Sequence, residues 1–334
     1  MKRRALLQLG LIGACYAGYT TPVPALFPSG SRTRRRIAVL ITLAADDGEA
    51  QRRLNAFREG LRQTGWVEGD NIELDIRWGA SDAERSRQHA AALAADAPDA
   101  ILATGSAALG PLLNATRTVP IVFVHVPDPV GAGFVDTLAR PGGNATGFGQ
   151  FEFSVSGKWV ELLKEIAPTV TRAGVLRDPA FTAAIAQLAA MQTVAPSQRM
   201  ELVPLTVRAA ADIERAVTSF AQTPGAGLIL TSSPLVAVHR DLIIDLAARH
   251  KLPAVYFERY LAVSGGLISY GPDFMDQFRR SAGYIDRVLR GEKAGDLPVQ
   301  EPAKYELVIN LKTARKLSLN VPTSLLARAN EVIE

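Results

Sequence analysis

From Arg36 onward the chain alternates short apolar runs with amphipathic stretches, and it does so in two successive series. Ile37–Leu43 (IAVLITL) is apolar throughout, which predicts a strand covered on both faces. Glu49–Thr64 predicts a helix, with Leu54, Phe57 and Leu61 on one stripe and the arginines placed off it. Strands over Asn71–Trp78, Ala100–Ala103 and Pro120–Val126 alternate with helices over Ala83–Ala95 and Ser106–Thr116. The rhythm stops between Pro127 and Phe148, a stretch rich in proline and glycine and long for a connection inside a compact domain. It then restarts. Helices over Lys158–Ile166, Thr182–Val194, Ala211–Gln222 and Leu235–His250 are interleaved with strands over Ala173–Arg177, Glu201–Val207, Gly227–Thr231 and Ala254–Phe257. The remainder reads as a strand at Gly266–Tyr270, an amphipathic helix at Asp273–Arg290, an extended segment at Leu297–Pro302 and a strand at Tyr305–Leu311. Repeated β-α units imply parallel sheets with helices on both faces. The expected fold class is therefore α/β: two similar lobes, each a parallel sheet covered by helices, joined by a multi-strand hinge. Lobe 1 is assigned 36–146 plus 270–298 and lobe 2 is assigned 147–269 plus 299–334. Besides Pro127–Phe148, crossings are expected near Ala262–Gly265 and Leu297–Pro302.

Residues 1–25 have the layout of an export signal. A basic start, Lys2-Arg3-Arg4, precedes a short apolar core, Ala5–Ala14, and Val23-Pro24-Ala25 offers a cleavage site. The core is too short to span a bilayer. Arg3-Arg4-Ala5-Leu6-Leu7 also fits the twin-arginine route, which exports folded chains. Cys15 is the single cysteine, so an intrachain disulfide and a multi-cysteine metal site are excluded. Ile12-Gly13-Ala14-Cys15 resembles a bacterial lipobox, which leaves two fates for Cys15: lipidation, or loss with the signal. The whole chain carries a formal charge of +4, and removal through Ala25 takes three cations with it, leaving +1. That is no footprint for nucleic acid. The basic run at Arg32 and Arg34–Arg36 reads as a solvated linker.

Ligands of open parallel sheets bind beyond the carboxyl ends of the strands. In the first lobe those positions include Thr42, then Thr104-Gly105-Ser106, then His125 to Pro129 with Asp128. Thr104-Gly105-Ser106 joins a strand to a helix start, which suits a carboxylate and equally suits an ordinary serine cap. In the second lobe they are Asp178, Ser232-Ser233 before Pro234, and Tyr256 to Glu258, with Tyr270 on a later strand. Asp178 reads as an ammonium acceptor or a turn residue. Tyr256, Phe257 and Tyr270 read as a cleft wall or as core. Enzyme signatures are missing: Ala44-Ala45-Asp46-Asp47-Gly48 replaces a dinucleotide fingerprint, and neither a phosphate loop nor a nucleophile elbow occurs. His89, His125, His239 and His250 lack metal-ligand spacing. No cofactor or metal is expected. His125 reads as a cleft residue or, by a small margin, a satisfied core histidine.

Several segments in order carry a family resemblance: Phe57-Arg58-Glu59-Gly60-Leu61 with Gly65-Trp66-Val67-Glu68-Gly69; Pro120–Val124 with Asp128-Pro129-Val130; Leu138–Gly147; Gly265–Gly271; Glu306–Ala314; and Leu325–Ile333. On these residues the chain resembles the bacterial ABC-transporter substrate-binding proteins that include the tryptophan-type binding proteins, from about Arg36 to Glu334. The resemblance implies a periplasmic binding protein type I-like fold. It also implies a small ligand held between the lobes, and delivery to an inner-membrane permease driven by a separate ATPase. The export signal places the chain in the periplasm, the missing enzyme motifs predict no enzymatic activity, and a monomer is expected. Some members prefer aromatic amino acids. Arg177-Asp178-Pro179-Ala180-Phe181 lacks the asparagines common after this strand in the family, and Ala44–Asp47 is acidic where small polar residues are usual. Two other classes remain as alternatives: the ligand-binding part of an extracytoplasmic sensor, and an exported α/β enzyme.

Overall fold

The computed structural model describes residues 34–334. The export signal and Cys15 lie outside the described residues. The first series of β-α units runs β1 (Arg35–Ile41), α1 (Gly48–Gln63), β2 (Ile72–Trp78), α2 (Ala83–Asp96), β3 (Ala100–Thr104), α3 (Ser106–Ala115), β4 (Ile121–Val126) and β5 (Ala145–Gly149). Its strands form one parallel sheet in the order β2-β1-β3-β4-β5. The alternation along β1 explains its unbroken apolar sequence. Ile37, Val39 and Ile41 face one core, and Ala38 and Leu40 face a second core on the other side of the sheet.

The second series runs α4 (Ser156–Ile166), β6 (Arg172–Arg177), α5 (Thr182–Val194), β7 (Glu201–Thr206), α6 (Ala210–Phe220), β8 (Ala226–Leu230), α7 (Pro234–Val238), α8 (Arg240–Arg249), β9 (Ala254–Tyr256), α9 (Arg259–Val263) and β10 (Ile268–Pro272). The chain then leaves as α10 (Phe274–Leu289) and returns as β11 (Tyr305–Asn310), α11 (Leu311–Lys316), α12 (Thr323–Leu326) and β12 (Glu331–Ile333). These strands make a seven-stranded sheet, β12-β11-β10-β9-β8-β6-β7. It is parallel except for the β10–β11 pair. The exception has a topological cause: β10 carries the chain out of the second lobe and β11 brings it back beside the exit.

The helix α10 packs on the first lobe, with Phe278, Ala282 and Ile285 in the same core as Leu54, Phe57 and Leu61 of α1. The two helices approach closely at Gly60, where a Cβ would stand 2.1 Å from the Arg279 carbonyl oxygen. The chain crosses between lobes after Gly149, at Pro272–Asp273 and along Leu297–Lys304. The crossings are tied together: Gly149 N donates to Gln300 O at 2.8 Å, Asp273 N to Lys304 O at 3.0 Å, and the Gln277 side-chain amide to Gly149 O at 2.8 Å.

Two expectations change here. Ala262–Gly265 is no crossing; it closes α9 with a turn in which Gly266 N donates to Leu261 O at 2.9 Å. The arginines of α1 are not all off its buried stripe either. Arg53 is 5% exposed and lies on the buried face with Ala50, Leu54 and Phe57.

Candidate functional site

The carboxyl ends of both sheets open onto one cleft. A cavity of about 250 Å³ lies in it. Thr42 and Leu43 reach it from the end of β1, Gly105 and Ser106 from the end of β3, and His125 and Pro127 from β4. The second lobe contributes Phe181 before α5, Ser232 and Ser233 after β8, and Phe257, Glu258 and Tyr260 after β9.

At the first-lobe end, α3 presents its N-terminus. Gly105 is the cap residue, at φ 74° and ψ 167°, and no side chain caps the helix. Its carbonyl oxygen accepts from Ala108 N at 3.2 Å and Leu109 N at 3.1 Å, which leaves the Ser106 and Ala107 amides without a partner among the described residues. Both residues line the cavity. Unpaired donors at the positive end of a helix dipole suit an anion. The positive φ explains the glycine: space is not the constraint, since an added Cβ would meet nothing closer than 3.8 Å.

Opposite lies a buried polar cluster that joins the lobes. Arg53 donates from Nε to Glu49 at 3.1 Å and from Nη2 to Glu258, which is 2% exposed. Its guanidinium carbon stands 5.9, 5.6 and 5.9 Å from the ring centres of Tyr260, Phe274 and Phe278. Burial works against the charge on Arg53, but Glu258 and Glu49 outweigh it and raise its pKa. Burial likewise works against the Glu258 carboxylate, and Arg53 and His125 outweigh it, holding the carboxyl below its ordinary range.

His125 reaches this cluster through a local distortion. Its φ is 64°, in the left-handed region, where the register between β4 and β5 shifts. The distortion puts its ring edge-on to Phe274 at 4.3 Å, with Nε2 3.0 Å from the Gln150 amide nitrogen and 3.5 Å from Glu258 Oε2. Burial, and then the Arg53 charge, lower its pKa below the ordinary imidazole value. Ser232 Oγ donates to Gln150 Oε1 at 3.2 Å, extending the network into the second lobe. At another point of the cleft Arg240 Nη1 lies 3.1 Å from Oδ2 of Asp47, whose Oδ1 caps α1.

Of the residues expected at the site, Thr42, Gly105, Ser106, Ser232, Ser233 and Glu258 line the cavity. Thr104 stands just behind it, its Oγ1 accepting from Thr42 N at 3.0 Å. Ser106 is the first residue of α3 and not its cap; Gly105 takes that position. Four others do not line the cavity. Tyr256 is fully buried, because strand alternation turns its ring away from the side that Phe257 faces, into the space that Gly266 leaves open. The Tyr270 ring stacks on Tyr305 with centres 5.8 Å apart. Asp128 and Asp178 each hold a turn, accepting from Gly131 N at 2.8 Å and Ala180 N at 2.9 Å.

Arg53, Gln150 and Tyr260 also line the cavity, although sequence reasoning misses them, and His125, readable from the sequence as a cleft or a core residue, lines it too. One signal pointed to Arg53: a cation at the 50-53-57 spacing shares the buried stripe of α1. Among the described residues, no group of three or more His, Cys, Asp or Glu side chains is placed to hold a metal ion. No described helix is long and apolar enough to cross a membrane.

A family model described as ABC transporter substrate binding protein matches residues 36–333. The tyrosine-binding protein of Clostridioides difficile strain R20291 is 27% identical over 269 residues, which cover 79% of this chain and 75% of that protein. Two solved structures share the fold. A domain in complex with L-Trp from Streptococcus pneumonia superposes with a TM-score of 0.83 at 24% identity, covering 90% of this chain and 100% of that one. A ligand-free, open substrate-binding protein with adhesive properties from Clostridium difficile gives 0.70 at 24% identity, covering 90% and 99%.

Proposed function

Because the chain belongs to the family of ABC transporter substrate-binding proteins, we propose that it captures a small carboxylate-bearing solute, an aromatic amino acid, between its lobes. It then delivers that solute to a membrane permease driven by a separate ATPase. The observation that carries this reading is the pair of amides of Ser106 and Ala107, unpaired among the described residues, on two residues that line a cavity of about 250 Å³. That volume lies below the span of drug-sized pockets and suits a single amino acid. Phe181, Phe257 and Tyr260 supply aromatic surface for a side chain, while the α3 amides supply donors for a carboxylate. One named relative is a tyrosine-binding protein and one solved structure holds L-Trp, which fixes the first ligands to try.

Native mass spectrometry of protein purified without denaturation, followed by calorimetry with L-tyrosine and L-tryptophan, tests the reading. A retained or titrated amino acid is expected; a chain that binds no amino acid overturns the ligand class. We place the protein outside the cytoplasm on the strength of the Lys2-Arg3-Arg4 start and the apolar run after it. Intact-mass measurement on protein from the native envelope decides this. A mass retaining Met1 removes the assignment, and a diacylglyceryl mass on Cys15 selects a lipid-anchored form.

A further inference from the structure

The loop Ala44–Asp47, acidic where small polar residues are usual in the family, has no part in capturing a carboxylate, since an acid in the cleft repels an anion. The second lobe neutralises it. Asp47 lies between β1 and α1, and its Oδ1 caps α1 by accepting from Glu49 N at 2.9 Å and Ala50 N at 3.2 Å. Its Oδ2 accepts from Nη1 of Arg240 at 3.1 Å, 193 positions away at the start of α8. The two side chains are 11% and 29% exposed. The other acid beside Arg240 is Asp241, farther away at 3.8 Å and open to solvent. Arg240 also stands 5.7 Å from the ring centre of Tyr260, and Arg53 stands 5.9 Å from the same centre. Two arginines that bridge the lobes, one from each lobe, thus share one aromatic ring, and that ring lines the cavity.

Arg53 and Glu258 line the cavity, whereas neither Asp47 nor Arg240 does. The Asp47–Arg240 pair can form only while the lobes are together, and a contact made in one of two states shifts the balance toward that state by its own worth. Most of the pair is shielded from water, so it escapes much of the screening that leaves surface ion pairs worth little. A ligand between the lobes leaves when they part. A bond that opposes parting therefore slows release, and it gives nothing to a ligand that arrives at lobes already apart. We infer that Asp47 and Arg240 form a latch that sets how long a ligand stays in the cleft, Arg240 being a positioning residue that acts through Asp47 and Tyr260 without touching the ligand. This rests on the reading that a solute is held between the lobes, whatever the solute is.

The test measures association and dissociation rates of L-tyrosine by stopped flow on the full mature chain, with L-tryptophan and L-leucine as further probes. Three variants are compared with wild type: Arg240→Ala, Asp47→Asn and the two combined. Asparagine keeps an oxygen to cap α1 and removes the charge, so D47N separates the latch from the helix start. Each single variant is expected to raise the dissociation rate about tenfold, the scale of one hydrogen bond to a charged group, with no fall in the association rate. The double variant should dissociate no faster than either single one, because the second change removes a partner already lost. A dissociation rate unchanged in both single variants, or effects that multiply in the double, overturns the inference. An association rate that falls along with the faster release also overturns it, since that marks a damaged site. If none of the three amino acids binds, the amino-acid reading fails by itself, and solution scattering on the ligand-free proteins decides the latch. A wild type more compact than R240A and D47N supports it, and equal dimensions in all three overturn it.

Discussion

At Ser106 the backbone and the side chain act on the same end of the cleft and can be separated. The Ser106 and Ala107 amides remain when the hydroxyl is removed, so Ser106→Ala is expected to weaken a carboxylate ligand by only about 0.5–1.5 kcal/mol, the net worth of one ordinary hydrogen bond. Replacing the ligand's carboxylate by its amide removes the charge that the helix end attracts, and should cost more. Calorimetry on both proteins with both ligands checks this; an amide that binds wild type as tightly as the acid would show that the helix end is not an anion site. Glu306 behaves differently. Burial, and then Asp273, push its pKa up from 4.5 to about 7. The folded state therefore holds a proton that the unfolded chain releases, and the associated stability is full below about 4.5 and lost as pH rises through about 7. Glu306→Gln should exceed wild type in stability by roughly 1 kcal/mol at pH 8, a figure reduced for the solvent that reaches this half-buried group. The difference should shrink at pH 5, and a difference independent of pH in denaturant titrations would reject the mechanism. At this scale the sequence was legible only where local rules applied. Gly105 and Ser106 could be read from a strand end meeting a helix start. Arg53 could not be paired, because its partner Glu258 is 205 positions away. The same limit left Tyr256 open between cleft wall and core, since its direction depends on strand alternation meeting a gap at Gly266.

The elements themselves were the easier reading, and α1 shows why. An apolar stripe ending at Gly65 fixes a helix from neighbouring residues alone, and Asp47 caps it by accepting from Glu49 N at 2.9 Å and Ala50 N at 3.2 Å. What the stripe packs against was not legible, because α10 comes from the other end of the sequence. The contact at Gly60 gives the test. Alanine is a better helix former than glycine by about 1 kcal/mol. A methyl group here would nonetheless stand 2.1 Å from a carbonyl oxygen and 2.8 Å from Ala282 Cβ, both on α10. Crowding of backbone typically costs about 1–3 kcal/mol, so Gly60→Ala should be net destabilising, with a lowered melting temperature. A variant as stable as wild type would mean that α10 can shift outward freely. The antiparallel β10–β11 pair was hidden for a related reason: each strand has an ordinary apolar sequence, and only the route of the chain sets their relative direction.

For the whole molecule, the contacts across the cleft bear on motion. Arg53–Glu258 and Asp47–Arg240 each join one lobe to the other, and both must break if the lobes part. Solution scattering with and without L-tyrosine should show a smaller radius of gyration in the bound state, and Arg240→Ala should enlarge the unbound state while changing the bound state less. An unbound protein with the bound dimensions in both proteins would count against hinge closure. Two α/β lobes could be read from the rhythm interrupted at Pro127–Phe148, because alternation is a local property repeated many times. The position of the second crossing could not, since Pro272–Asp273 looks like any other strand-to-helix turn.

The three passages between lobes also bear on synthesis and on cutting. The chain visits each lobe twice, so neither lobe is a contiguous stretch of sequence. The first sheet can pair as soon as β5 has been made, but α1 stays uncovered until α10 emerges more than a hundred residues later. The second sheet must wait longer still, since β11 and β12 are the last strands to be made. A nascent or truncated chain therefore carries an unfinished face on both halves at once. Conversely, a single protease cut in any one passage leaves the halves joined by the other two, and releases no separate lobe.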